Sequence, residues 1–241
     1  MKHFVSVVIV ALFVSACYQQ PQKKTVATLE TSQISNEIKK NTYPFSNVSL
    51  YDDFSNELIL DTLQFKREAQ FSPLYIGDEK KTIKLVYKTS KLAYNGTEFD
   101  RDYRIPTTSD IQIFIDTTRT IGFSMPMAVS YNKTEYRTNK KSYPVFIKNT
   151  SNKIHQIGIG EILYMKTEAK DSTGNWREIE RDFMYFCGTG LARYYLNPNQ
   201  IAITAFRQNY GRFKTKFRIK FGSFEHPIYS NEIDGYLNFE L

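Results

Sequence analysis

Histidine, cysteine and tryptophan are scarce in this 241-residue chain, numbering three, two and one. The cysteines, Cys17 and Cys187, are too few for a disulfide framework or a cysteine-based zinc site. Cys187 sits in Phe186-Cys187-Gly188 and reads as a small buried hydrophobe; a nucleophilic thiol there would need a histidine brought by the fold, with His155 the candidate. His155 and His226 lie far apart without a ligand spacing, so each reads as a surface residue and no metal site is expected. Enzyme signatures are missing too: there is no GxSxG elbow, GxxxxGK[ST] loop, HExxH pair or GxGxxG turn. The glycine pairs of Gly158-Ile159-Gly160 and Gly188-Thr189-Gly190 read as turns or bulges. The expectation is a protein without catalytic residues or cofactor. Nor is there the run of about 20 apolar residues that a bilayer span takes.

The longest apolar run is Phe4 to Phe13, broken only by Ser6. Met1-Lys2-His3 gives it a short positive start, and Val14-Ser15-Ala16-Cys17 closes it with small residues before a cysteine. This is the layout of a secretory signal peptide, whose apolar region runs to about 7–15 residues. Val14 to Cys17 resembles the lipobox of bacterial lipoproteins, a resemblance that covers only the first 17 residues. It implies lipid on the Cys17 thiol, cleavage before Cys17 and acylation of the new amino terminus. The partner so implied is the membrane, and the location is the cell envelope, at the outer membrane. Acyl chains contribute about 0.8 kcal/mol per buried methylene, so two or three would hold firmly where one alone would not.

Removing residues 1–16 as signal peptide leaves 225 residues, enough for one large β domain or two of about 100. Hydrophobic residues make up 41% and aromatics 15%, too rich for a disordered chain. The net charge of +7 falls to +6 when Lys2 leaves with the signal. Export takes nucleic acid out of reach, which leaves an envelope protein, acidic lipid head groups or an anionic glycan as partners.

Residues 17–44 are polar, with Gln-Gln-Pro-Gln and Lys39-Lys40, and read as a lipidated tether. Beyond them short alternating segments separated by polar turns predict an all-β protein. Leu58 to Phe65, Thr82 to Lys88 and Asp110 to Thr117 read as strands of a β domain over residues 45–139. Leu92 to Ser109 reads as a long exposed loop, in which Asp100 and Asp102 are a thin case for Ca²⁺. Proline and the charged run of residues 132–141 suggest a domain boundary near 139.

In residues 140–241 strands are expected at Tyr143–Lys148, Ile162–Lys170, Trp176–Phe183, Arg193–Leu196, Gln200–Phe206, Arg212–Phe221, Ile228–Ile233 and Tyr236–Leu241. Asp171-Ser172-Thr173-Gly174-Asn175 joins two of them as a hairpin. The order of these pieces resembles an immunoglobulin-like or fibronectin-like antiparallel β-sandwich, with Asn209-Tyr210-Gly211-Arg212-Phe213 similar to its tyrosine corner. Phe213 stands where that corner has its hydroxyl-bearing tyrosine, and a single cysteine here excludes the inter-sheet disulfide.

Arg212 to Phe221 carries the sharpest pattern: Phe213, Thr215, Phe217, Ile219 and Phe221 alternate with Arg212, Lys214, Lys216, Arg218 and Lys220. A half-buried antiparallel strand explains it, with aromatics inward and five cations outward. Those cations are candidates for binding a polyanion, with a nearby tyrosine or Trp176 stacking on sugar rings; a solvated face or lysine-guarded edge is the plainer reading. Glu178, Glu180 and Asp182 share a face and leave a carboxylate-dependent hydrolase as a further alternative. The plainer role for them is to lie opposite the basic row, where each cross-strand pair contributes about 0.2–1 kcal/mol.

The acylation expectation has a direct check. Expressed in a bacterial host, the chain should start at Cys17 with added acyl mass and fractionate with membranes; Cys17→Ser should lose both. A soluble wild-type chain of unmodified mass would refute it.

Overall fold

The computed structural model describes residues 44–52, 58–61, 67–69, 71–86, 106, 110–124, 139–160, 162–182, 193–222 and 226–241. These all belong to one compact unit, Asn41–Leu241. Among the described residues the regular structure is all β, without a helix. The strands before the middle of the chain are β1 (Ser49–Tyr51), β2 (Arg67–Glu68), β3 (Tyr75–Asp78), β4 (Thr82–Lys84), β5 (Ile111–Ile115) and β6 (Ile121–Ser124). Then come β7 (Asn139–Asn149), β8 (His155–Ile159), β9 (Ile162–Leu163), β10 (Met165–Lys170), β11 (Trp176–Glu178) and β12 (Glu180–Arg181). The last are β13 (Arg193–Leu196), β14 (Gln200–Arg207), β15 (Phe213–Phe221), β16 (Ile228–Tyr229) and β17 (Ile233–Leu237).

Two antiparallel sheets carry the architecture. The first runs β3-β14-β7-β5, with β6 beside β5 along the same edge of β7; the second runs β11-β10-β15, with β16 and β17 sharing the far edge of β15. Side chains alternate across the first sheet. Val145, Ile147, Ala202 and Phe206 enter a core against the second sheet, with Phe217, Ile219 and Phe221. Phe146, Ile201, Ile203 and Ala205 point the other way, into a second core closed by Phe45, Val48, Leu74, Ile83 and Leu85. A sheet covered on both faces needs apolar side chains at nearly every position, which is how Gln200–Arg207 reads.

Residue 139, where the sequence suggested a boundary, is instead the first residue of β7. Strands from both sides of it share one sheet: β3 pairs with β14, while β5 and β6 pair with β7. The polar look of residues 139–142 has a local cause. Lys140 reaches Asp61 at 3.3 Å, Arg207 reaches the same carboxylate at 3.0 Å, and both Asp61 and Arg207 are buried.

Pro144 explains why β5 and β6 are separate. In an antiparallel pair, hydrogen-bonded partners exchange both N–H···O bonds. The Pro144 carbonyl accepts from the Asp116 N–H at 3.0 Å, but proline has no N–H to return. Pairing stops there, and it resumes at Ile121↔Ser142 after extra residues. The break is filled by Asp116, whose carboxylate accepts from the Thr118 N–H at 2.9 Å and from Arg119 Nε at 2.6 Å. Arg119 also donates to the carbonyls of Val48 and Phe45, and lies 5.1 Å from the centre of the Phe146 ring. Phe45 stacks on Phe146 at 4.4 Å. One arginine thereby pins the 44–48 segment over the second core.

Other expectations shift in detail. Ile162–Lys170 is divided at Tyr164 into β9 and β10, and Ile233 opens β17 rather than closing the preceding strand. Residues 58–61 form isolated bridges, at Ile59 and Asp61, rather than a strand; residues 62–66, 87–105 and 132–138 lie outside the described residues, as do Asp100, Asp102 and Cys187. His155 is fully buried rather than on the surface, 2.8 Å from the Ser151 hydroxyl through Nε2. In Asn209–Phe213, Tyr210 and Phe213 are both exposed.

Asn231 joins the two sheets. Its Oδ1 accepts from the Ile115 N–H at 2.7 Å, and its Nδ2 donates to the Ile115 carbonyl at 3.0 Å, as a strand neighbour would. Asn231→Ala should lower unfolding free energy by about 1–3 kcal/mol, because the Ile115 groups lose both partners. Asn231→Asp keeps only an acceptor and should fall between the two in a denaturant titration; an alanine variant as stable as wild type would refute the role.

Candidate functional site

Four of the five expected cations, Lys214, Lys216, Arg218 and Lys220, alternate along β15. Phe217, Ile219 and Phe221 are buried on the opposite side, and the exposed Arg212 lies in the bend just before the strand. The register then decides what they meet. Glu168 lies opposite Arg218, and β17 brings Asp234 opposite Lys216. Arg218 Nε donates to Glu168 at 2.7 Å, Lys216 meets Asp234 at 2.9 Å, and Lys220 meets Glu178 at 2.6 Å. Lys166 joins the same Glu178 at 3.1 Å and Asp182 at 2.9 Å, while Lys170 reaches Glu232 at 3.3 Å. Arg212 and Lys214, both exposed, form no ion pair with a described residue.

Aromatic rings are built into this lattice. The Arg218 guanidinium lies 4.2 Å from the centre of the Trp176 ring and 3.7 Å from that of Tyr229. Lys170 also stands over Trp176, at 4.8 Å. Each such contact contributes about 0.5–1 kcal/mol at an exposed site. Two cations therefore lie against Trp176, which leaves less of its ring for the stacking expected of it. Tyr229, against Arg218, and Tyr236, opposite Lys214 on β17, are both exposed.

The carboxylates divide in the same way. Glu178 and Asp182 are taken by lysines, while Glu180 is buried and accepts the Thr167 N–H at 2.8 Å. Burial works to raise the Glu178 carboxyl, but hydrogen bonds from Lys220 and Lys166 outweigh it and hold the group below its ordinary 4.5. Burial likewise works to lower Lys166, and Asp182 and Glu178 outweigh it and raise the ammonium above 10.5. In the hairpin turn, the Thr173 hydroxyl first and then Arg177 and the Asn175 and Thr173 amides bring Asp171 down to about 2. Gly174 takes the positive φ of 85° that the turn requires.

Several of these partners were missed in the sequence. Lys166, Glu168 and Lys170 do alternate with Met165, Thr167 and Ala169, a signal on hand, whereas Glu232, Asp234 and Tyr229 could be placed only by register. A second, shallow groove of about 530 Å³ lies by the β3–β4 turn, lined by Asp78, Glu79, Lys80, Lys81 and Lys148, with Lys148 paired to Glu79 at 2.8 Å. Among the described residues no three His, Cys, Asp or Glu side chains gather as metal ligands. Comparison with known proteins finds no matching family, no matching curated protein and no matching solved structure.

The Lys166–Glu178–Lys220 cluster predicts a pH dependence. A carboxyl lowered on folding contributes stability that is present above its unfolded value and lost as pH falls through the folded value. The stability advantage of wild type over Glu178→Gln should therefore be constant above about pH 5 and shrink below the ordinary 4.5. Thermal melts across that range check it, and an advantage that grows on acidification would refute it.

Proposed function

We propose that this chain is a cell-envelope lipoprotein, anchored at the outer membrane through an acylated Cys17, whose folded body is a structural or protein-binding component and catalyses no reaction. Two observations of different kind support it. The anchor rests on the lipobox-like Val14–Cys17. The binding role rests on the outer face of the second sheet, where Trp176 of β11, Arg218 of β15 and Tyr229 of β16 are held together. Tryptophan, tyrosine and arginine are the side chains that dominate binding energy at protein interfaces. Fixing them before contact reduces the ordering cost, about 0.5–1.5 kcal/mol for each mobile side chain immobilised.

The immunoglobulin-like reading of residues 140–241 belongs to this proposal; the two packed antiparallel sheets support a sandwich, one whose first sheet also takes in β3, β5 and β6. A hydrolase reading gains nothing from Glu178, which two lysines hold ionised. Polyanion binding by the whole basic row is likewise weakened, since Lys216, Arg218 and Lys220 each have a carboxylate of their own.

The binding role is tested by a photo-crosslinking amino acid at Tyr229, with the same probe at the exposed Gln112 of β5 as control, in cells that keep or lack the anchor. A discrete envelope-protein adduct from position 229 is expected, absent from position 112 and lost with Cys17→Ser. Identical adducts from both positions, or none from 229, would overturn the reading.

A further inference from the structure

Once the charged face is paired off, a positive surplus remains at one corner of it. Lys214 lies on the side of β15 that carries Lys216, Arg218 and Lys220, Arg212 sits in the bend two residues earlier, and both are exposed. The carboxylate nearest in register is Asp234, which Lys216 holds at 2.9 Å, so Lys214 adds only a longer-range attraction to it. Lys214 stands directly opposite Tyr236, which is 46% exposed, and Tyr210 just before the strand is 61% exposed.

The corner is also rigid. A Cβ at Gly211 would overlap the Leu237 carbonyl, so the turn before β15 presses backbone to backbone against the end of β17. That contact requires glycine and fixes where Arg212 leaves the chain. Arg212 and Lys214 are thereby held two residues apart in the chain, with the open phenol ring of Tyr236 opposite Lys214.

We infer that Arg212, Lys214 and Tyr236 form a subsite for a linear acidic polysaccharide, the two cations taking carboxylates along the polymer and the Tyr236 ring lying against a sugar face. Two cations with no ion pair among the described residues supply the charge complementarity, and the aromatic ring opposite Lys214 suits the apolar side of a sugar ring. The preference for a polysaccharide over nucleic acid rests on the exported, anchored reading above. The subsite itself rests on the register of β15 and β17.

Isothermal titration of the full-length chain in non-ionic detergent tests this, with alginate as the probe and dextran, polyphosphate and duplex DNA beside it. Alginate should bind and dextran should not. Arg212→Ser with Lys214→Ser should weaken alginate by about tenfold or more through the loss of two charge-assisted contacts. Tyr236→Ala should weaken alginate while leaving polyphosphate unchanged. All three positions are exposed, so circular dichroism should match wild type; if the double variant did not fold, the single Lys214→Glu substitution carries the same test. The inference is overturned by wild type failing to bind alginate, by unchanged affinity in the charge variants, or by duplex DNA binding as tightly as alginate. Acylation of Cys17 is read separately by intact mass, so loss of the anchored reading and loss of the subsite give different results.

Discussion

The first sheet is apolar on both faces, and the rest of the molecule depends on that. Val145 and Phe146 are neighbours in sequence and belong to different cores, one shared with the second sheet and one with the 44–86 segment. Both are fully buried. Full burial of side chains of this size contributes about 1.5–3 kcal/mol each, so β7 and β14 bring two layers together through one pair of strands. The consequence for the second sheet is asymmetry. Only its inner face is needed for packing, which leaves its outer face to polar chemistry.

That outer face is ordered by pairing rather than by burial. Exposed ion pairs contribute little individually, with a median near 0–1 kcal/mol. Here they share partners: Glu178 serves Lys166 and Lys220, and Arg218 has Glu168 in its plane with Trp176 and Tyr229 near its faces. A network of this kind sets side-chain positions more than it sets stability. The same pairing concentrates the unmatched positive charge at Arg212 and Lys214, so a row that looks uniform in sequence is not uniform in charge.

The legibility of the chain followed periodicity. Phe213–Phe221 could be read because its two faces differ in every residue, and Ile111–Ile115 because three isoleucines share a face. Gln200–Arg207 was visible as a strand, but its burial on both sides was not, since that depends on a layer contributed by residues far away in sequence. Tyr75–Asp78 and His155–Ile159 were missed because glycines interrupt their alternation. At Gly158 a Cβ would crowd the Ile162 carbonyl and the ladder to β13 shifts register, so that glycine marks a close approach at a bulge, while Gly160 takes the positive φ of the following turn. The suggested boundary at residue 139 falls on the start of β7 for a related reason: Lys140, which looks like linker, is paired with Asp61, a partner that no local pattern reveals. For the candidate site, the cations were legible and their carboxylates mostly were not, because register is a property of two strands.

The breaks in the outer strands bear on how copies of the protein meet. The longest strands, β7, β14 and β15, are interior, while β3 and β11 are short and β5–β6 and β16–β17 are each interrupted. An uninterrupted edge is a template on which another chain can add as a strand. Pro144 and the Asp116–Arg119 filling deny such a template on one sheet, and Ser230 and Asn231 deny it on the other by spending their side chains on Ile219 and Ile115. On these two sheets the described edges therefore offer another copy little continuous backbone to extend, and leave side chains to make any contact there.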